Sequence, residues 1–362
     1  MNGGRVSITK LPKVSLHDHL DGALRPQTII DLASEAGVTL PVSDAKGLGR
    51  WFVDQSSKHD LVEFLKTFEV TLSVMQTRAQ LERVAREFVL DLAADGVVYG
   101  EVRWAPEQHL AAGLDLDEAV SAVWTGLSSG MEQAEASGHD IRVTQLLTIM
   151  RQNDRGLEIA ELAVRHRDSG VVGLDLAGPE LGFPVADFRD AFEYAARHHL
   201  PVTVHAGEAD GVESIEGALL DGRALRLGHG VRIEDDITVT GEDDEASYVS
   251  LGPVAQWVKD REITLEVCPV SNLLTGATEA REVIDHPFDL LYQLGFHVTV
   301  SPDDRLMTGT TLSKELSLLV EAFQYDLTDL EVFQQNAAAA AFLPADDRAD
   351  LADRIAEGFG DA

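Results

Sequence analysis

The 362-residue chain contains 62 acidic and 29 basic side chains, which give a formal net charge of −33 at pH 7. So negative a surface repels nucleic acids, anionic lipids and polyanionic substrates, and none of these is expected as a partner. The single cysteine, Cys268, excludes an internal disulfide and fits a reducing compartment. We find neither the apolar core of a signal peptide nor a run long enough to span a membrane, and we therefore expect a cytoplasmic protein.

Eight short segments rich in Val, Ile and Leu predict β-strands, most of them separated by helical patterns. In chain order they are residues 13–19, 97–106, 141–150, 171–178, 200–208, 224–230, 263–269 and 296–304. Eight strand–helix units over this length predict an α/β fold, the (β/α)₈ TIM barrel, whose active sites lie at the carboxyl ends of the strands. Because we find no linker composition and no solenoid repeat, residues 1–362 are expected to form one domain.

The long interval between the first two predicted strands contains an amphipathic pattern. Its apolar residues recur at helical spacing and form one stripe: Leu61, Phe64, Leu65, Phe68, Leu72 and Met75. Periodicity alone favours a helix packed on the barrel. Since the stripe lies in an insertion after strand one, it also predicts a helical lid over a pocket. Residues 234–248, by contrast, are acidic and turn-rich and predict a solvated surface loop.

Polar side chains follow several of the predicted strands. The first strand ends in "HDH", where His17 and His19 point the same way because strand side chains alternate. The fifth ends in "HAGE" with His205, and the eighth ends in Asp303 and Asp304. Strands one, five and eight of a barrel project into one mouth, and three imidazoles with a carboxylate form a ligand set that zinc accepts. The sequence therefore predicts one zinc ion per chain.

Two further groups stand beside this predicted metal site. Zinc lowers the pKa of bound water to about 7, so hydroxide becomes available at neutral pH. Glu208, just past His205, is placed to protonate a substrate atom next to the attacked carbon. Taken alone, it is equally well explained as an ion-pair partner at a helix N-terminus. His229 in "LGHG" is placed to orient the nucleophile, although an isolated histidine there is more often only hydrogen-bonded.

Other catalytic signatures do not account for the chain. "GLSSG" around Ser128 has the spacing of a nucleophile elbow, but it lies within a continuous helical pattern rather than at a strand-to-helix turn. A single cysteine excludes the Pro-Cys-x-x-Cys arrangement of base-editing zinc deaminases. We also find no H-E-x-x-H, P-loop or G-x-G-x-x-G motif. The polar strand ends remain the candidate site.

Six motifs together resemble, in the same order, those of adenosine deaminases, zinc enzymes of the amidohydrolase superfamily. They are "LHDHLDGALRP", "DLAGPE", "VTVHAGE", "LGHG", "LEVCPVSNLLTGA" and "VSPDDRLMTG", within residues 11–325. The resemblance implies a metal site formed by four residues: His17, His19, His205 and Asp303. It departs from the usual family pattern at Ser301-Pro302, where Asn-Thr is common, and at Arg305, where proline is common.

The resemblance also implies roles around a bound purine. Residues expected in catalysis are Glu208, His229 and Asp303, and residues expected to contact substrate are His19, Asp21, Gly178 and Asp304. Glu208 would protonate N1, and His229 would position the attacking hydroxide. Asp304 would hydrogen-bond N7, and the backbone N–H of Gly178 would reach N3 because no side chain intervenes. Asp21 would accept a hydrogen bond from the ribose 5′-hydroxyl.

The reaction implied by the resemblance is hydrolytic deamination of adenosine or deoxyadenosine to inosine or deoxyinosine and ammonia. Asp21 in "HLDG" favours a purine nucleoside, since adenine deaminases tend to have Glu at this position. The acidic loops near the predicted site disfavour AMP. Three alternatives stay open at this point: deamination of adenine, deamination of an aminofutalosine-type nucleoside, and a catalytically silent purine-binding homologue.

Overall fold

The computed structural model of the chain describes residues 7–242 and 247–362. The strands form at the predicted places, with shorter bounds in the second half of the chain. They are β1 Lys13–His19, β2 Val97–Trp104, β3 Arg142–Met150, β4 Val171–Ala177, β5 Thr203–Ala206, β6 Arg226–His229, β7 Ile237–Glu242, β8 Ser247–Leu251, β9 Thr264–Val267 and β10 Val298–Val300. All of them except β7 and β8 lie in two parallel four-stranded sheets, ordered β1-β2-β3-β4 and β5-β6-β9-β10.

Isolated parallel bridges join the two sheets at both seams. Leu174 in β4 pairs with Val202, just before β5. Asp18 in β1 pairs with Asp303, just after β10, and His19 N donates to Asp303 O at 2.9 Å. The eight parallel strands therefore close on one another, which confirms the predicted barrel.

Helices connect and cover the strands. They are α1 Pro26–Ala36, α2 Ala45–Ser56, α3 Leu61–Leu65, α4 Phe68–Leu72, α5 Arg78–Ala94, α6 Leu116–Ala136, α7 Gly156–Arg165, α8 Arg189–Arg197, α9 Val212–Leu220, α10 Pro253–Asp260, α11 Pro269–Thr275, α12 Phe288–Gln293, α13 Arg305–Thr308, α14 Leu312–Phe323, α15 Leu327–Ala340 and α16 Ala345–Gly360. Short 3₁₀ helices span Ile8–Lys10, Pro106–His109, Arg167–Ser169, Val185–Phe188, Val231–Asp236 and Val283–Asp285. Among the helices of residues 7–242 and 247–362, none has both the length and the apolarity needed to cross a bilayer.

The "GLSSG" segment lies inside α6, as its helical pattern predicts. Its two glycines face α5: a Cβ on Gly126 would lie 2.4 Å from the backbone oxygen of Glu82, and one on Gly130 would lie 2.7 Å from the Cβ of Val89. Real side chains do not fit at such distances, so these positions allow the two helices to pack closely. The motif is a helix-packing feature, and Ser128 has no part in a nucleophile elbow.

Buried charges cross the interior of the barrel beneath the strand ends. Arg226 pairs with Glu101 at 2.5 Å and with Glu266 at 2.6 Å, and Arg103 pairs with Glu266 at 2.6 Å. All four side chains are at most 1% exposed. Ions in so dry an environment are stable only when each has an opposite charge in contact. These buried ion pairs lie directly below the strand-end residues and hold the strands that carry them in place.

The insertion after β1 forms the predicted lid, although as two short helices rather than one. The helical stripe breaks at the turn between α3 and α4, and both helices place apolar side chains over the mouth of the barrel. The prediction of a surface loop over residues 234–248 was wrong for its described part. Residues 237–242 and 247–251 form an antiparallel hairpin, β7–β8, whereas residues 243–246 lie outside the described range.

Candidate active site

Four nitrogen and oxygen donors converge at the carboxyl ends of the strands. His17 and His19 end β1, His205 lies in β5, and Asp303 follows β10; their ligand atoms all lie within 4.8 Å of one another. Asp303 Oδ1 is 3.0 Å from His17 Nε2 and 3.3 Å from His19 Nε2, and the Nε2 atoms of His19 and His205 are 3.2 Å apart. The structure therefore brings together the four residues expected to hold the metal.

The hydrogen bonds of these rings show which ring nitrogens are available to a metal ion. His17 Nδ1 donates to the Glu266 carboxylate at 2.9 Å, and His205 Nδ1 donates to the Asp175 carboxylate at 3.0 Å. In each neutral ring the other nitrogen, Nε2, then carries a lone pair. His17 Nε2 and Asp303 Oδ1 are buried and have no hydrogen-bond partner of acceptable geometry among the described residues. Lone pairs directed at one point fit a divalent cation.

The two carboxylates behind the histidines share one cation, Arg103. Its guanidinium lies 2.6 Å from Glu266 and 3.6 Å from Asp175, and all three side chains are fully buried. Burial raises the pKa of Glu266, but Arg103 and Arg226 outweigh it and hold that pKa well below its usual range. An ionised carboxylate behind each imidazole fixes the orientation of the ring and the nitrogen that carries the proton.

A cavity opens above the cluster and contains the remaining predicted residues. Its polar walls include His19, Asp21, Gly178, His205, Glu208, His229, Asp303 and Asp304. Its apolar walls include the lid residues Leu61, Phe64, Leu65, Phe68 and Leu72, together with Trp104 and Met150. Of the residues predicted to form the site, only His17 lies beneath the cavity rather than on its wall. A planar apolar ring with polar edges matches such a cavity in chemistry.

Glu208 and His229 face each other inside this cavity. His229 Nε2 lies 3.6 Å from Glu208 Oε2 and 3.9 Å from Asp303 Oδ2. Asn272 Nδ2 donates to His229 Nδ1 at 3.0 Å, and burial holds the pKa of His229 well below its usual range. The ring is therefore neutral and carries its proton on Nε2. Burial raises the pKa of Glu208 well above its usual range, with further increases from the negative charges of Asp303 and Glu180.

Gly22, in the turn just after the paired histidines, stands where a side chain would not fit. A Cβ on Gly22 would lie 1.9 Å from Asp304 Oδ1, so the "HLDG" turn leaves room for the Asp304 carboxyl. Gly178 has a φ of +100°, and a Cβ there would lie 2.5 Å from Gln152 Oε1. Gly178 lines the cavity, and the absence of a side chain lets its backbone approach the site closely.

Asp18, between the two histidines, does not line the cavity. Its carboxylate pairs with Arg305 Nε at 2.9 Å; the side chains of Asp18 and Arg305 are 1% and 10% exposed. The Arg305 guanidinium also lies over the Phe88 ring, 4.5 Å from its centroid. Arg305, which stands where proline is common in the family, therefore links the segment after β10 to strand β1.

We expect Arg305→Leu to lower the free energy of unfolding by about 3 kcal/mol, because a buried carboxylate loses its partner. Equilibrium urea denaturation measures this change. The matched control is Arg189→Leu, whose exposed guanidinium lies 2.7 Å from Asp221 and which should shift the urea midpoint much less. Equal losses in the two variants would contradict a structural role for the Asp18–Arg305 pair.

Several residues of the site were missed by the sequence reasoning: Arg103, Asp175, Asn272 and Glu266. Three of them left a signal, since they are charged residues inside otherwise apolar strand patterns, "VVYGEVRW", "VVGLDLA" and "TLEV". A charge in a buried strand needs a partner, which could have marked them as supports of the site. Asn272 in "CPVSNLL" left no comparable signal.

A parallel barrel with three imidazoles and a carboxylate gathered at its strand ends has the architecture of a metal-dependent hydrolase. The family model described as Adenosine deaminase matches residues 12–358. An adenosine deaminase of Mycobacteroides abscessus is 50% identical over 351 residues, which are 97% of this chain and 95% of that protein. The chain belongs to the adenosine deaminase family, which consists of metal-dependent hydrolytic deaminases.

Two further proteins are similar over nearly the whole chain. Adenosine deaminase 1 of Streptomyces coelicolor is 52% identical over 356 residues, covering 98% of this chain and 88% of that protein. The crystal structure of Arabidopsis ADAL complexed with IMP superposes with a TM-score of 0.81 at 27% identity, covering 98% of each chain. The barrel predicted from the eight strand patterns is thus also the fold of a solved relative.

Proposed function

We propose that this chain deaminates adenosine and deoxyadenosine by hydrolysis, with one zinc ion per chain held by His17, His19, His205 and Asp303. The observation that carries the proposal is the cluster of these four donors at the base of the apolar-lidded cavity that contains Glu208. Relatives about half identical over nearly the whole chain are named adenosine deaminase, which supports the substrate. Adenine and aminofutalosine have no comparable support.

Zinc is favoured among divalent cations because the donors are three imidazole nitrogens and one carboxylate oxygen. When bound, the ion lowers the pKa of water to about 7 and so supplies hydroxide at neutral pH. Glu266 and Asp175 hold the two buried imidazoles with their Nε2 lone pairs directed at the site. These two carboxylates thus fix the orientation of the imidazoles that would hold the ion.

Glu208 and His229 are proposed to control the proton and the nucleophile. Attack at C6 places electron density on N1, and Glu208 donates its proton to that nitrogen. His229 keeps Nε2–H directed at the cavity, where it donates to the incoming hydroxide oxygen and orients it. The proton of the new C6 hydroxyl then moves to the amino group, and loss of ammonia leaves a carbonyl at C6, with N1 keeping the proton from Glu208. Glu208 regains a proton from the water that supplies the next hydroxide. The raised pKa of Glu208 suits a group that must be protonated at neutral pH.

The other cavity residues are proposed to orient the nucleoside. The Gly178 N–H donates to N3, and Asp304 hydrogen-bonds N7. Asp21 accepts a hydrogen bond from the ribose 5′-hydroxyl. The aromatic lid residues Phe64 and Phe68 exclude water, which strengthens each of these hydrogen bonds.

Charge on the cavity wall favours a nucleoside over a nucleotide. The lining residues include five carboxyl groups, on Asp21, Glu69, Glu208, Asp303 and Asp304, and no Lys or Arg lines the cavity in the described part of the chain. A 5′-phosphate brought near Asp21 would meet like charge without a compensating cation. This arrangement supports adenosine rather than AMP as the substrate.

A substrate panel tests the proposal directly. Purified zinc-loaded protein is mixed separately with adenosine, deoxyadenosine, AMP, adenine and aminofutalosine, and loss of absorbance near the adenine band is followed. We expect turnover of the two nucleosides, with kcat/KM for AMP lower by at least about 100-fold, since like charges in contact cost several kcal/mol. Turnover of adenine or aminofutalosine without turnover of adenosine would contradict the substrate, and inactivity on all five would contradict the proposed function.

A further inference from the structure

The loop that carries Glu208 is held by a single buried carboxylate. Residues 207–211 connect β5 to α9 without regular structure. Four consecutive backbone N–H groups of this loop donate to the side chain of Glu180, which is 4% exposed. The donors are Gly207 at 2.7 Å, Glu208 at 3.1 Å, Ala209 at 2.6 Å and Asp210 at 2.9 Å. The Ser214 hydroxyl adds a fifth hydrogen bond at 2.5 Å.

The backbone carbonyl of Glu208 is held by a second side chain, that of Arg232. Arg232 Nε donates to the backbone oxygen of Glu208 at 2.9 Å, and Arg232 Nη2 donates to Gly276 O at 3.3 Å. Glu180 follows β4, whereas Arg232 follows β6, so supports from both neighbouring strands fix the backbone of Glu208. Its side chain is then left free to face the cavity.

Successive N–H groups pointing to one side form a concave site for an anion. In this loop the chain supplies that anion itself, and no ligand is needed to order the backbone. Hydrogen bonds to an ionised acceptor are stronger than those to a neutral one. The loop would otherwise bury four donors without partners or open to water. Glu180 therefore determines where the Glu208 backbone lies.

We infer that Glu180 is a positioning residue that holds Glu208 at the distance required for proton transfer. The inference rests on the proposed function, in which Glu208 is the proton donor. Glu180 does not line the cavity, so it acts through the loop rather than on the substrate. A displacement of about 1 Å in a catalytic group can cost 10²-fold in rate, which is the scale of effect expected here.

The first test replaces Glu180 with glutamine in the full-length, zinc-loaded protein. The amide keeps the size of the side chain but removes its charge and directs N–H groups at N–H groups. We expect kcat with adenosine to fall about 100-fold and KM to change less than about threefold, with metal content at one per chain. The amides of residues 207–210 should also exchange with deuterium faster than in the unmodified protein.

Asp236→Asn is the matched control for general loss of stability. The Asp236 carboxylate also accepts backbone N–H groups, from Val254 at 3.0 Å and Ala255 at 2.8 Å, but at the start of α10 and away from the cavity. We expect a lower Tm in this variant with unchanged kcat. If Glu180→Gln does not fold, Glu180→Asp replaces it in the test. Aspartate keeps the negative charge but is one methylene shorter and does not reach the loop, so we expect the same fall in kcat.

A double-mutant cycle separates positioning from structural damage. In the Glu208→Gln background no donor is left to position, so adding Glu180→Gln should cost less than about threefold more in kcat. A full additional 100-fold loss would overturn the inference, and so would a rise in KM at unchanged kcat. If Glu208→Gln is inactive but Glu180→Gln equals the unmodified protein, only the inference on Glu180 fails. If Glu208→Gln is fully active, the proposed proton donor fails first and the inference falls with it.

Discussion

Replacing Glu208 with glutamine is expected to lower kcat for adenosine by about 10³-fold, within the 10²–10⁴-fold range of general acid catalysis. Glutamine has nearly the same shape and can still hydrogen-bond N1, but it has no proton to transfer. KM should change little, because the ground-state contacts of the base and ribose stay in place. Steady-state kinetics on zinc-loaded protein, followed by loss of absorbance, measures both constants.

Glu213→Gln is the matched control for this change. Glu213 is exposed in the first turn of α9, five residues further along the chain, and does not line the cavity. Its replacement should leave both kinetic constants unchanged. Unaltered turnover in Glu208→Gln, at full zinc content, would remove Glu208 from the chemistry.

The second large effect is expected of His17→Ala, which should lose both the bound metal and the activity. His17 is fully buried, and its Nε2 atom, which has no hydrogen-bond partner among the described residues, lies 3.0 Å from Asp303 Oδ1. Alanine removes one of four donors and leaves the Glu266 carboxylate without its imidazole partner. Elemental analysis of the purified protein should fall from one zinc per chain to almost none, and activity should fall by at least roughly 10³-fold.

Metal loss should also be visible without any substrate. An ion that binds only the folded state raises its stability by mass action, so added zinc should raise the Tm of the unmodified protein but not that of His17→Ala. His198→Ala is the control: this half-buried histidine bonds to the backbone of its own helix and should keep the metal. A zinc-free His17→Ala protein with full activity would contradict the proposed metal site.

Local patterns were sufficient to predict the barrel and most of its polar mouth. Strand side chains alternate, so His17 and His19 had to share a face, and the carboxyl ends of parallel strands had to meet. The polar strand ends therefore predicted the metal-binding cluster with Glu208 and His229, whereas Asp21, Gly178 and the role of Asp304 came from the family resemblance; the structure brings all of these residues together.

Residues that support the site through contacts between distant segments of the chain could not be predicted from local sequence patterns. The Asp18–Arg305 pair joins the first barrel strand to the segment after the last one, nearly 300 residues further along the chain, and no periodicity links them. The role of Gly22 depends on where the Asp304 carboxyl lies, which only the closed barrel determines. The β7–β8 hairpin was missed because the acidic, turn-rich sequence of residues 241–246 predicts a loop, although residues 237–240 alternate between apolar and polar as in a strand.

Closure of the barrel has a consequence for how the protein matures. Asp303 N donates to His17 O at 3.1 Å, so the seam between the first and last barrel strands runs directly beneath the proposed metal ligands. A nascent chain still lacking β10 already contains every histidine of the set yet cannot complete it. Under the proposed assignment, the four-residue metal site is complete only after the last barrel strand has been added, and a bound ion would link the first barrel strand to the last.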